Sequence, residues 1–148
     1  MGARYLLVDG HSVIHSWNDL RLLHQTRPIQ ARHALIGQLR ELHDAGPWAI
    51  TLVFDGRQGT AERGEPHDMI VHYSEAGETA DSVIERLIGQ KKNLAPEILV
   101  VTADEAERRT VEALGAFTAS PEWLREELGA RKVDVARALD RLHRKNRW

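Results

Sequence analysis

Acidic residues follow three of the most apolar runs in this 148-residue chain. Asp9 and Asp55 each come directly after such a run, Asp104 comes three residues after another, and Glu78 and Asp81 form a Glu-x-x-Asp pair between them. If the runs are parallel strands, their carboxyl ends meet at one edge of the sheet, and the acids converge there. Because crowded carboxylates repel one another, such a cluster is costly unless it is protonated, paired with cations or filled by a metal ion.

A metal ion is the simplest partner for this set of side chains. The donors are all oxygen atoms and the chain has no cysteine, which favours the hard cations Mg²⁺ or Mn²⁺. Such ions use few carboxylates together with substrate phosphates, so the implied substrate is a phosphate ester. One ion can activate a water while a second, ~4 Å away, stabilises the leaving oxygen. This is the chemistry of a nuclease.

Each acid also has a purely structural interpretation. Asp9-Gly10 and Asp55-Gly56 are common turn dipeptides, Asp104 can cap a helix, and Glu78 or Asp81 can complement a helix dipole. Three strand-terminal aspartates together with a Glu-x-x-Asp pair are less readily explained in this way than any one of them alone. Their convergence depends on the predicted order of the strands.

The elements that must position these acids alternate along the chain. Short apolar, β-prone runs predict four strands, at 5–8, 49–54, 69–73 and 98–101. Four helices are predicted between and after these strands. The first starts at Pro28 and is stopped by Gly46-Pro47, and the second starts after Thr79. The third starts with a capping box of Asp104 and Glu107 and ends at Gly115, and the fourth starts after Ser120-Pro121. The alternation predicts a three-layer α/β/α domain with a mainly parallel sheet.

The C-terminal segment is basic. Between residues 131 and 147 there are seven Lys or Arg residues and only two aspartates. Val135, Leu139 and Leu142 fall on one face of the expected helix. Arg131, Lys132 and Arg137 belong to a stripe that can bind phosphates, but a solvated helix that packs through its apolar face explains the pattern equally well. We therefore divide the chain into a domain at 1–128 and a basic, amphipathic helical tail at 129–148.

Composition and missing motifs narrow the class of protein. Apolar residues make up 42% and charged residues 28%, which predicts one folded domain, and the formal charge of −2 excludes binding of nucleic acid by bulk positive charge. Without cysteine there is no thiol catalysis, and the short apolar N-terminal run predicts a soluble, cytoplasmic protein that does not bind membranes. The glycine fingerprint of dinucleotide-binding enzymes and the Walker loop are both missing, so no nucleotide cofactor is expected. A receiver domain also gathers aspartates around Mg²⁺. It needs an acidic pair at the end of the first strand and a lysine at the end of a late strand, and neither is found in this sequence.

Four segments carry a resemblance to a known family: YLLVDGHSVI at 5–14, LVFDG at 52–56, GETADSVIER at 77–86 and LVVTAD at 99–104. Their order and spacing resemble the NYN domain of the YacP-like ribonucleases, within the PIN-like nuclease superfamily, from about residue 4 to 128. The resemblance implies a PIN-like fold and a Mg²⁺ or Mn²⁺ site that serves endonucleolytic cleavage of RNA, expected to be single-stranded. It does not predict the oligomeric state.

The resemblance also implies roles for individual residues. Asp9, Asp81 and Asp104 match the family's metal-binding acids, with Asp55 as a further ligand and Glu78 in support. The family usually shows Asp-Gly-Tyr-Asn after the first strand, whereas this chain has Asp-Gly-His11-Ser12, so Ser12 takes the place of a site asparagine. This departure keeps open the alternative of an inactive PIN-like module that binds RNA or a protein. His11 can contact a phosphate.

Two arginines on the glycine-containing segment 57–67 complete the set of predicted RNA contacts. Arg57 and Arg63 lie close in sequence to the predicted crevice and can clamp phosphates, although surface arginines are often only solvated.

Overall fold

A single five-stranded sheet organises the molecule. The computed structural model describes residues 4–56, 69–92 and 97–145, with the backbone alone at 131–136 and 145. Within these ranges the sheet order is β3-β2-β1-β4-β5, and every neighbouring pair is parallel. The strands are β1 (Arg4–Asp9), β2 (Trp48–Phe54), β3 (Ile70–Tyr73), β4 (Glu97–Val101) and β5 (Phe117–Ala119).

Six helices in the described residues cover both faces of this sheet. They are α1 (Gly10–Ser16), α2 (Asn18–Thr26), α3 (Pro28–Ala45), α4 (Ala80–Lys91), α5 (Glu105–Ala113) and α6 (Pro121–Lys145). One apolar core joins the sheet to α1, α2, α3 and the start of α6, and a second core joins it to α4 and α5. The predicted three-layer α/β/α arrangement with a parallel sheet is therefore confirmed. No described helix has the length and apolar character needed to span a bilayer.

The central strand explains where a site can form. Leu6 and Val8 of β1 enter one core and Leu7 enters the other, so the whole run is apolar because both of its faces are buried. The chain winds to one side of β1 through β2 and β3 and to the other side through β4 and β5. The crevice expected in such a sheet lies outside the carboxyl ends of β1 and β4, where the winding reverses.

Three elements of the fold are not predicted by the sequence patterns. The helices α1 and α2 fill the segment between β1 and Pro28, where the apolar spacing is weak, and β5 has only three residues. Three residues are too few to display an alternation of apolar and polar side chains.

The predicted basic helix is part of a longer one. Helix α6 runs from Pro121 to Lys145; its early residues Leu124 and Leu128 are buried, whereas residues 137–144 are exposed throughout. Leu139 and Leu142 are about half exposed, at 50% and 55%, so they do not form the packed face considered above. The division at residue 129 stays a prediction.

Candidate functional site

Asp9 is the most buried of the predicted site acids. It ends β1 and caps helix α1, and it is only 5% exposed. Its Oδ2 accepts hydrogen bonds from the Ser12 hydroxyl at 2.8 Å and the Thr102 hydroxyl at 3.3 Å, and Oδ1 accepts a longer one from the Ser12 amide at 3.4 Å. The sharp entry into α1 needs a glycine, because a Cβ on Gly10 would lie 2.3 Å from the Phe54 ring. The carboxylate is thus fixed at the carboxyl edge of the sheet.

Asp104 is placed by the turn that follows β4. Thr102, itself buried, accepts a hydrogen bond from the Asp104 amide at 3.1 Å through the same hydroxyl that contacts Asp9. Asp104 Oδ1 accepts from the amides of Ala106 and Glu107 and so caps α5. The cap predicted from the sequence is present, and its residue lies beside the end of β1.

The start of α4 brings two more acids to this edge. Thr79 caps the helix through a reciprocal pair of bonds with Ser82, and Asp55, at the end of β2, accepts a hydrogen bond from the Ala80 amide at 2.9 Å. Asp81 in the first turn is half-buried. Burial raises the pKa of Asp81 above its usual range, and the charges of Asp9, Asp104, Glu85 and Asp55 raise it further.

Glu107 is a site acid that the sequence patterns do not reveal. They predict it as half of a capping box, but the residue is only 4% exposed and its Oε1 is buried with no hydrogen-bond partner in the described structure. Burial raises the pKa of Glu107 to about 8, helped by the charges of Asp81, Glu85, Asp9 and Asp104. The only feature of the sequence that could have indicated Glu107 as a site acid is its place one turn into α5, after a strand-terminal aspartate.

Glu78 is not brought into this group. Its Oε1 accepts a hydrogen bond from the Glu75 amide at 2.9 Å, and its Oε2 forms an ion pair with Arg86. These contacts lower the pKa of Glu78, with the Glu75 bond first and Arg86 next. One oxygen is thus engaged by the turn before α4 and the other by Arg86 in the middle of that helix. A role for Glu78 in orienting metal waters stays a prediction.

The predicted RNA contacts are distributed unevenly. His11 is exposed on α1 and its ring lies 4.2 Å from that of His15, whereas Arg137 is exposed on the distant part of α6. Arg57 and Arg63 lie outside the described residues, and for Arg131 and Lys132 only the helical backbone is described.

The chemistry of the donor set fits a hard divalent cation. All the donors are oxygen atoms, burial and then neighbouring carboxylates raise the pKa of Asp81 and of Glu107, and one buried carboxylate oxygen has no partner among the described residues. Across the described ranges, however, no three His, Asp or Glu side chains are already placed so that they could hold a metal ion. Sharing a cation would therefore require the carboxylates to approach one another, which the charge of the cation favours.

Comparisons with known proteins identify the family. The model of the YacP-like NYN domain matches residues 6–148. The protein named "Uncharacterized protein YacP" from Bacillus subtilis (strain 168) is 33% identical over 124 residues, which span 82% of this chain and 73% of the relative. The chain belongs to the YacP-like NYN family.

Solved structures of this family agree with the fold. The crystal structure of Rae1 (YacP) from Bacillus subtilis matches with a TM-score of 0.80 and 26% identity, over 95% of this chain and 82% of that one. The structure of its W164L mutant matches with a TM-score of 0.83 and 27% identity, over 97% and 86% of the two chains. Membership in the YacP-like NYN family implies a nuclease-like fold of the kind that acts on RNA.

Proposed function

We propose that this YacP-like NYN chain is a metal-dependent endoribonuclease that hydrolyses phosphodiester bonds of single-stranded RNA. The observation that supports it best is the convergence of Asp9, Asp81, Asp104 and Glu107, from β1, α4 and α5, at the carboxyl edge of the sheet. Burial raises the pKa of Asp81 and of Glu107, and the charges of Asp9 and Asp104 raise both further, because these groups lie near one another. Family membership supports action on RNA.

In the proposed reaction, Mg²⁺ or Mn²⁺ would be held by Asp9, Asp81 and Asp104, with Asp55 and Glu107 beside them. A bound cation of this class supplies Lewis acidity toward water and phosphate oxygens. Ser12 and Thr102 hold the Asp9 carboxylate in one orientation, and the α5 amides do the same for Asp104. Fixing the orientation of these two ligands reduces the reorganisation that sharing a cation requires.

The test is cleavage of labelled single-stranded RNA by purified protein with Mn²⁺, with Mg²⁺ or with EDTA. We expect cleavage with metal and none with EDTA, and a loss of at least about a hundredfold in Asp9→Asn and in Asp81→Asn. Asp44→Asn is the matched control: Asp44 is exposed near the end of α3, just before β2 begins, and so lies near the opposite edge of the sheet. Folded protein that never cuts with metal would contradict the proposal, as would aspartate variants as active as the control.

The second candidate is an RNA-binding module that does not cut. The observation that favours it is the His11-Ser12 departure, because Ser12 offers a single hydroxyl where the family usually has an amide. This candidate predicts RNA retention that is weakened by salt and is insensitive to the three aspartates. Gel-shift titrations of the same variants distinguish the two.

A further inference from the structure

Three histidines cluster next to the acidic site. The His15 ring centroid lies 4.2 Å from that of His11 and 4.9 Å from that of His24. Together they line a small surface pocket, whose remaining polar lining is provided by Arg32 and Asp55. His11 and His15 are one turn apart on α1, which starts directly after Asp9, so this pocket adjoins the carboxyl ends of β1 and β2.

The groups around this histidine pocket are mostly hydrogen-bond donors or cations. The Arg32 guanidinium carbon lies 5.6 Å from the centroid of the Phe54 ring, at the end of β2. A neutral imidazole donates one N–H and a guanidinium donates several, which suits the oxygens of a phosphate. Asp55 is the one carboxylate of the described lining; its Oδ1 already accepts from the Ala80 amide.

The surroundings of His15 disfavour a positive charge on its ring. Burial lowers the pKa of His15, and the neighbouring His11, His24 and Arg21 lower it further. Such a set of neighbours disfavours additional positive charge, and an anion among them would relieve the repulsion. A neutral imidazole still donates one N–H, so phosphate binding by His15 does not require that its ring be protonated.

We propose that this pocket, lined by His15, His24 and Arg32, binds a phosphate of the RNA backbone next to the cleaved one. This inference rests on the proposed function, because the ligand is RNA. The reasoning is electrostatic: the acidic edge repels a polyanion, and the chain has a formal charge of −2, so local donors must hold the strand against that repulsion. The pocket concentrates donors from three helices at the rim of the acidic site.

The experiment measures binding of the full-length protein to a fluorescein-labelled single-stranded RNA of about twelve nucleotides by anisotropy in EDTA, which prevents metal-dependent cleavage. We expect the double variant His15→Ala/His24→Ala to raise the Kd by more than about tenfold, because it removes two hydrogen-bond donors to a charged group. The control is His33→Ala, which makes the same change at an exposed histidine of α3 and should stay within about twofold.

Uncharged linkages in the RNA test whether the pocket binds a phosphate. A methylphosphonate placed at each linkage in turn should weaken RNA binding by the wild-type protein. At the linkage that the pocket binds, the same replacement should not weaken binding by the double variant further. A double variant that binds like the control overturns the proposal. So does a loss that follows removal of a base rather than neutralisation of a linkage, since the histidines would then stack on a base.

A second measurement makes the inference independent of the nuclease proposal. Inorganic phosphate should shift the ring Cε1–H resonances of His15 and His24, and not that of His33, in NMR spectra assigned with the variants. If RNA is bound through the pocket but never cut, the pocket stands and the nuclease fails. If RNA is cut and the double variant binds it like wild type, the nuclease stands and the pocket fails. Protein that responds to neither RNA nor phosphate overturns both.

Discussion

Glu107 is a carboxyl side chain in an unfavourable environment, because glutamate normally lies in solvent and this one is buried. A buried carboxyl without a described partner for Oε1 is costly as an anion, and the pKa of about 8 means that it holds its proton at neutral pH. In the unfolded chain the same group titrates near 4.5. Between these two values the folded state binds the extra proton, so the free energy of unfolding falls as the pH rises.

The metal-free protein should therefore lose stability between about pH 5 and pH 8, by roughly 3–5 kcal/mol if Glu107 acts alone. Asp81, whose pKa is also raised, contributes in the same direction. Glu107→Gln, which cannot ionise, should flatten the slope, whereas Glu41→Gln at an exposed site should leave it unchanged. Denaturant unfolding in EDTA across this range measures both. A wild-type stability that rises with pH here would contradict the assignment.

Ser12 positions Asp9 and can be tested apart from the acids. Ser12 is 8% exposed and its hydroxyl donates to Asp9 Oδ2, so Ser12→Ala removes a buried hydrogen bond and leaves a carboxylate oxygen less satisfied. We expect a decrease of about 1–2 kcal/mol in stability and a several-fold decrease in RNA cleavage with Mn²⁺. The matched change Ser16→Ala, later in the same helix, should cost less than about 0.5 kcal/mol. Equal effects at both positions would mean that the hydroxyl does not hold Asp9.

At the scale of elements, the strand ends were predictable from the sequence and the burial of Glu107 was not. Runs buried on both faces are apolar throughout, so β1, β2 and β4 and the acids after them could be predicted from their residues alone. The inward turn of Glu107 depends on how α5 packs against the sheet, which no local pattern encodes. Helix α1 has two His, two Ser and a Gly among its seven residues, and α2 has Asn, Asp, His and Thr among its nine. The weak helix propensity of these residues hid both helices.

Alanine substitutions at two glycines are expected to have opposite effects on stability. At Gly10 a Cβ would meet a neighbouring side chain, whereas at Gly89 only helix propensity changes. Gly10→Ala should cost about 1–3 kcal/mol, because its Cβ would lie 2.3 Å from a buried Phe54 ring that stacks on Tyr73. Gly89→Ala, in the last turn of α4, adds a Cβ with no heavy atom within 4 Å outside the local helix backbone, so it should stabilise by about 0.5–1 kcal/mol. Thermal unfolding of both variants measures the difference. A neutral Gly10→Ala would mean that the β1–α1 turn can relax away from β2.

For the whole molecule, the question is how a protein of net negative charge would hold the RNA that we propose as its substrate. The acidic edge and the exposed end of α6 have opposite charge, and Arg137, Arg141 and Arg144 of α6 share one surface with Asp140. Residues 137–144 are exposed throughout, so their charges can change without disrupting the core. Leu139 and Leu142 are exposed as well, which weakens the interpretation of α6 as a helix that packs through its apolar face.

The triple variant Arg137→Gln/Arg141→Gln/Arg144→Gln should therefore keep its melting temperature within about 2 °C and bind single-stranded RNA more weakly. Each phosphate that a protein neutralises on a single strand contributes about 0.7 to the slope of log K against log salt, so three arginines on three phosphates account for about 2 of that slope. Anisotropy titrations at several salt concentrations measure it. Glu126→Gln/Glu127→Gln, on the same helix, is the control that changes charge without removing cations. If the arginine variant keeps the wild-type slope, this stripe is only a solvated helix face, and RNA must be held elsewhere, first of all at the histidine pocket beside the acidic edge.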